Sequence, residues 1–397
     1  MKHASVFLAL LILLAMPHPA GAQSGTEFAE VQVISRFGET IQFNVRIQSS
    51  VPLQSATVTF REGADGGQTR PLAIETDGRA AYTYDARLNA LKPFARIVFW
   101  FTATLTDGTV TESGRYNFAY EDNRFTWQTR SEGMIRVHWI EGDAQFGAAV
   151  LDSARRGAQS AGALFPVDLS APIDVWVYPN AETLQSALLL GGRDWVAGHA
   201  SPDMGVALVS VAPGIEQGIQ LERQTPHELT HVLLFRRVGA HYTRLPLWLR
   251  EGIASLTELY PNPDYDFALA QAAASNSIPP LADLCDSFPP DAAGAFLAYA
   301  ASRSFTQFLV DNYGASGLNS LALAYADGLD CEQGARQALG LSLSQLEARW
   351  RESTLGENRS RVIAANLFPY LLLLILMLIV PVWGAAERIL ERRRHGR

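Results

Sequence analysis

The chain has 397 residues, 18% of them charged and 48% hydrophobic, with a mean hydropathy of +0.03. This excludes a disordered polar chain and leaves enough apolar material for two or three domains. Lys+Arg number 32 against 40 Asp+Glu, a net charge of −8, so nothing supplies a basic surface for phosphates and no nucleic-acid partner is expected. Two cysteines are too few for a disulfide-dense miniature scaffold or a cysteine-based zinc cluster.

Lys2 precedes an uncharged apolar stretch from Ala4 to Met16, which Pro17 and Pro19 break before Ala20-Gly21-Ala22. A short charged start, an apolar run and small residues predict a secretory signal over 1–22, with the mature chain starting near Gln23.

Residues 23–125 read as a β domain. Ile41, Phe43, Val45 and Ile47 alternate with polar neighbours, as do Ala56, Val58 and Phe60. Ile97 to Leu105 is rich in β-branched and aromatic residues, and Asp107-Gly108 turns it back into a further strand. Short strands spaced by turns predict a β-sandwich of immunoglobulin or fibronectin type.

Across 126–357 the pattern becomes mixed. Ile135 to Trp139 and Ile173 to Tyr178 read as strands, and Phe146 to Leu164 as a helix. Val196 to Val211 reads as two short strands around Ser201-Pro202-Asp203, the second preceding the next helix. Past Gln220 the chain is mainly helical. A mixed sheet followed by helices predicts an α+β unit.

The chemistry concentrates in Thr225-Pro226-His227-Glu228-Leu229-Thr230-His231. Thr225 suits an N-cap and Pro226 the first helical position, so a helix is expected to start there and run to Gly239. On it, His227 and His231 stand one turn apart and can share one Zn²⁺. Glu228 flanks them without ligating, where a general base must sit. Leu247 to Ser255 supplies a return helix, long enough after His231 to bring Glu251 over both imidazoles as a third ligand. Glu258, one heptad later, is the alternative carboxylate. Three protein ligands leave a fourth position for water, as in a catalytic zinc site.

HELTH followed by WLREGIAS resembles the gluzincin metallopeptidases, especially the bacterial peptidase MA-like domains, and the likeness extends over about 126 to 355. The resemblance implies a thermolysin-like fold, one zinc ion held by His227, His231 and Glu251, Glu228 as the base, and a protein or peptide substrate. It also implies Tyr299 as the hydroxyl that stabilises the oxyanion, with Tyr313 as the alternative. In this fold an edge strand pairs with substrate, and the strand at Val206 to Val211 is the candidate. No G-x-M-E-N segment is present, so the aminopeptidases' reader of a free amine is missing. Ser255 stands where thermolysin relatives carry an Asp that orients the first imidazole. His138, His199 and His241 are isolated and read as structural.

No charge occurs from Val362 to Ala386, and Glu387 opens a tail containing Arg388, Arg392, Arg393, Arg394 and Arg397. Residues 362–386 are therefore expected to form one transmembrane helix, with 387–397 a basic cytoplasmic tail and the rest extracytoplasmic at the cell membrane. Cys285 and Cys331 both fall outside the membrane, where pairing is expected; two buried free thiols are the alternative. The expected protein is a membrane-anchored zinc metallopeptidase. The alternatives are an inactive gluzincin-fold binding or adhesion protein and a zinc hydrolase of a non-peptide amide.

Overall fold

Alternating apolar residues build two antiparallel sheets in the first part of the chain. A computed structural model describes residues 25–63, 66–190, 199–356, 367–375 and 377. They divide into two compact units, one reaching Arg124 and the other starting at Phe125, with Leu190 grouped with the first.

In the first unit, β1 (Glu27–Arg36), β2 (Thr40–Gln48), β3 (Leu53–Glu62), β4 (Gln68–Pro71), β5 (Ala73–Ile74), β6 (Arg79–Asp85), β7 (Arg96–Leu105), β8 (Val110–Glu112) and β9 (Tyr116–Ala119) form two sheets. One has the order β1-β2-β6-β5; the other runs β4-β3-β7-β8, with β9 also pairing to β7. The alternation in β2 puts Ile41, Phe43, Val45 and Ile47 inside, and β3 and β7 answer with Val58, Phe60, Phe99 and Phe101. Phe43 meets Phe60 and Phe99 at ring-centroid distances of 5.1 and 5.2 Å, so the two sheets share one aromatic core, sandwich-fashion.

The second unit is α+β. Strands β10 (Gln128–Glu132), β11 (Ile135–Trp139), β12 (Ile173–Tyr178), β13 (His199–Ser201) and β14 (Val206–Ser210) form a sheet of order β10-β11-β12-β14-β13. The central three strands are parallel, while β10 and β13 run antiparallel at the two edges. This corrects one expectation: the strand at 206–210 lies inside the sheet, and His199–Ser201 is the edge.

Helix α1 (Ala144–Leu164) crosses between β11 and β12, capped by Asp143, which accepts from the amides of Gln145 and Phe146. It buries Phe146, Val150, Ala154, Ala158 and Ala161. After α2 (Ala181–Leu190), the remaining helices are α3 (Gln217–Val238), α4 (Leu247–Thr257), α5 (Asp264–Ala274), α6 (Ala292–Ala326), α7 (Cys331–Leu339) and α8 (Leu343–Thr354). Gly314, with φ +68°, interrupts α6.

The expected helix start at Thr225 is also corrected. Helix α3 begins at Gln217 and carries Pro226 in its interior. A proline removes the bond to the carbonyl four residues back, here that of Glu222. That carbonyl accepts instead from the amides of Leu259, at 2.8 Å, and Tyr260, at 3.3 Å. Gly157 of α1 fits against the proline, since a Cβ there would lie 2.8 Å from Pro226 Cα.

The cysteines pair: Cys285 and Cys331 form a disulfide across 46 residues. It fastens the segment before α6 to the start of α7. The Cys285 carbonyl accepts the Leu247 amide at 2.7 Å, satisfying an N-terminal donor of α4. The expected signal over 1–22 lies outside the described residues. Of the expected span 362–386, only 367–375 and 377 are described, and they are helical. Among the described residues no helix is long and apolar enough to cross a membrane.

Candidate metal centre

Three helices converge on one cluster. Helix α3 supplies His227, Glu228 and His231, α4 supplies Glu251, and α6 supplies Tyr299. Helices α3 and α4 are tied together beneath the cluster, where Thr230 Oγ1 and Thr257 Oγ1 meet at 2.7 Å and Thr230 also donates to the Pro226 carbonyl. Gly252 lets α4 close on α6, because a Cβ there would collide with Thr306 Oγ1 and lie 2.6 Å from the Ser302 carbonyl.

One ligating atom each from His227, His231 and Glu251 lies within 4.8 Å of the others. Glu251 Oε2 is 3.3 Å from His227 Nε2 and 3.7 Å from His231 Nε2. Ligands bound at 2.0–2.1 Å on a tetrahedron sit about 3.3 Å apart, so the separations and the two-imidazole, one-carboxylate donor set fit zinc.

The outer nitrogens of both rings are engaged. His227 Nδ1 meets Glu258 Oε1 at 2.9 Å, and His231 Nδ1 meets the Tyr242 hydroxyl at 2.8 Å. Glu258, the alternative ligand in the sequence, therefore stands behind His227 rather than in the ligand cluster. It occupies the position behind His227 expected of an Asp at position 255, where the Ser255 hydroxyl is instead buried with no hydrogen-bond partner. Glu258 carries one readable mark, its heptad spacing from Glu251. Tyr242 carries none: it follows α3 on a short 3₁₀ helix, Gly239–Arg244, that no motif announces.

The protonation landscape follows from burial and crowding of charge. Burial pushes Glu228 up to about 7, reinforced by the charges of Glu251 and Glu258 and opposed by that of His227. Burial also holds His231 down to about 4, in the neutral form a metal requires. At His227 burial works the same way but is outweighed by hydrogen bonds to Glu251 and Glu258, so its pKa is raised well above the usual value. The Glu251 charge, with burial, holds the Tyr299 phenol protonated.

Tyr299 is half-buried, with its ring 6.3 Å from that of His227 and edge-on to Phe288 at 5.1 Å. Tyr313 lies about 21 Å further along α6 at the helical rise, beside Gly314. His138 is held elsewhere, bridging Thr129 Oγ1 and Asp174 Oδ1 at 2.9 Å each. His199 stands on the edge strand within electrostatic reach of His231 but outside the ligand cluster, and His241 is exposed.

The family model of the Peptidase MA superfamily matches residues 154–356, just over half of the chain and spanning the whole cluster. The chain belongs to the Peptidase MA superfamily. Its second unit thus has a metallopeptidase-like fold; the superfamily is typically metal-dependent, and the His-His-Glu cluster lies within the matched residues. No curated protein matches the sequence.

Among solved structures, a carbohydrate-binding module family 56 β-1,3-glucan binding domain matches at 16% identity and TM-score 0.17, covering 23% of this chain and 98% of that one. OgpA from Akkermansia muciniphila matches at 14% identity and TM-score 0.20, covering 24% of this chain and 28% of its own. A myokine structure matches at 11% identity and TM-score 0.20, covering 24% and 96%. Likenesses at these scores carry no argument about function.

Proposed function

We propose that the protein is a zinc metallopeptidase, anchored at the cell membrane with its catalytic unit outside. One observation carries the reading: His227 Nε2, His231 Nε2 and Glu251 Oε2 face one point, with the buried Glu228 beside them. His227, His231 and Glu251 would hold the ion. When bound, zinc polarises the scissile carbonyl and acidifies a water molecule. Glu228 takes the water proton and passes it to the leaving amine. Its burial serves that exchange, because a base raised toward neutral pH both accepts and returns the proton readily. Tyr299, held protonated, donates to the developing oxyanion.

The location is supported by the uncharged run over 362–386 with arginines after it, and by the disulfide, which belongs to an oxidising space. Purified protein should contain one equivalent of zinc and cleave an unfolded casein-like substrate, with chelator abolishing the cleavage. Zinc without cleavage would point to a binding protein. Cleavage confined to non-peptide amides in a substrate panel would point to a different hydrolase. Trypsin accessibility of the tail in intact cells and in lysed ones tests the orientation.

A further inference from the structure

The two imidazoles of the cluster have unlike partners, and this difference has a function. His227 is backed by the carboxylate of Glu258, whereas His231 is backed by a phenol. An imidazole that ligates through Nε2 carries its proton on Nδ1, so the group facing Nδ1 must accept a hydrogen bond. Tyr242 Oη lies 2.8 Å from His231 Nδ1, and both side chains are buried. Water is thereby kept from substituting for the phenol.

The phenol is itself held in place. The Arg250 guanidinium lies over the Tyr242 ring, 5.2 Å from its centroid, and Arg250 Nε is buried without a hydrogen-bond partner of its own. On another side, the Phe235 ring packs against Tyr242 at 6.0 Å. Arg250 immediately precedes Glu251 on α4, and Tyr242 lies past the end of α3. The stack therefore links the ligand that comes from one helix to the backing of a ligand that comes from the other.

We infer that Tyr242, clamped by Arg250, is a positioning residue that fixes the tautomer and ring orientation of His231 and so sets how tightly the site holds zinc. This rests on the reading of the cluster as a zinc site. A neutral phenol accepts more weakly than a carboxylate, so the bond behind His231 is weaker than the one behind His227.

The test is zinc affinity of the full-length protein, measured by competition with a chromophoric chelator, alongside the visible absorption of the cobalt-substituted form. Tyr242→Phe keeps the ring and removes the acceptor. It should raise the zinc Kd roughly 10- to 100-fold, as loss of a partner behind a ligand commonly does, and shift the cobalt bands. The melting temperature of the zinc-free form should change little; a purely structural phenol would lower that temperature and leave Kd alone. Arg250→Gln should weaken zinc in the same direction and by less, and it decides the matter if Tyr242→Phe does not fold. Zinc affinity and cobalt spectra indistinguishable from wild type in the folded variants would overturn the inference alone. A wild-type protein that takes up no zinc would overturn the reading beneath it as well.

Discussion

Glu258 Oε1 lies 2.9 Å from His227 Nδ1, while Glu251 Oε2 takes the other nitrogen of the same ring at 3.3 Å. One imidazole is thus held between two carboxylates with separate tasks, one in the ligand cluster and one behind it. Exchanging each for its amide should separate these tasks. Glu251→Gln should abolish stoichiometric zinc by elemental analysis. Glu258→Gln should retain zinc with a Kd higher by roughly 10- to 100-fold. Equal losses in the two variants would contradict the assignment.

The same arrangement predicts proton release. His227 is protonated near neutral pH in the zinc-free protein because its two carboxylate partners outweigh its burial. A metal needs it neutral, so zinc binding must displace that proton and apparent affinity must rise with pH until the raised His227 pKa is passed. Calorimetric titrations in buffers of differing ionisation enthalpy should show about one proton released per zinc near pH 7.

Glu228→Gln should keep zinc and lower kcat by at least ~10²-fold, the loss expected when a general base is removed. In the wild type the base works only when ionised. The acid limb of kcat/KM should therefore lie above the ordinary carboxylate value and below about 7, the value Glu228 takes when burial and the charges of Glu251 and Glu258 outweigh that of His227, because a bound dication would lower it from there. An acid limb at the ordinary carboxylate value would show that burial does not tune this group.

Gly252→Ala should cost about 1–3 kcal/mol by overpacking, since the added methyl meets Thr306 Oγ1 and the Ser302 carbonyl with little room to yield. It should also weaken zinc, because α4 must move off α6 with Glu251 one residue from the collision. Chemical denaturation and zinc titration on the same preparation would show whether the two losses occur together.

Reduction of the Cys285–Cys331 bond should lower stability by up to about 4 kcal/mol on the chain-entropy model, given its 46-residue separation. Denaturant midpoints with and without reductant measure it directly. The Cys285 carbonyl also holds the start of α4, so zinc affinity should fall in the reduced protein.

The ligand atoms were legible because their chemistry is local: two histidines one turn apart and a carboxylate on the next amphipathic stretch leave a mark in the sequence. The β units were legible through period-two alternation, as at Ile41 to Ile47. The start of α3 was not. Thr225-Pro226 satisfies every local rule for a helix start, but those rules describe an isolated end, and here the preceding residues gain more by continuing the helix against α1. The edge strand was misread because the order of strands in a sheet is decided by tertiary packing. Tyr242 left no trace, since a backing residue is defined by where a turn delivers it and not by any spacing.

The proline inside α3 bears on any attempt to move this centre to another scaffold. Grafting His227–His231 and Glu251 onto a foreign helical pair would transfer the three donors and leave behind the Glu222 oxygen that Pro226 sets free. That oxygen grips Leu259, the neighbour of Glu258. Without it, the acid supporting the first imidazole would be placed from one side only, by the Thr257 contacts to α3. The smallest portable unit is thus a continuous stretch from 222 to 260, and within it an inert ring is as necessary as the histidines.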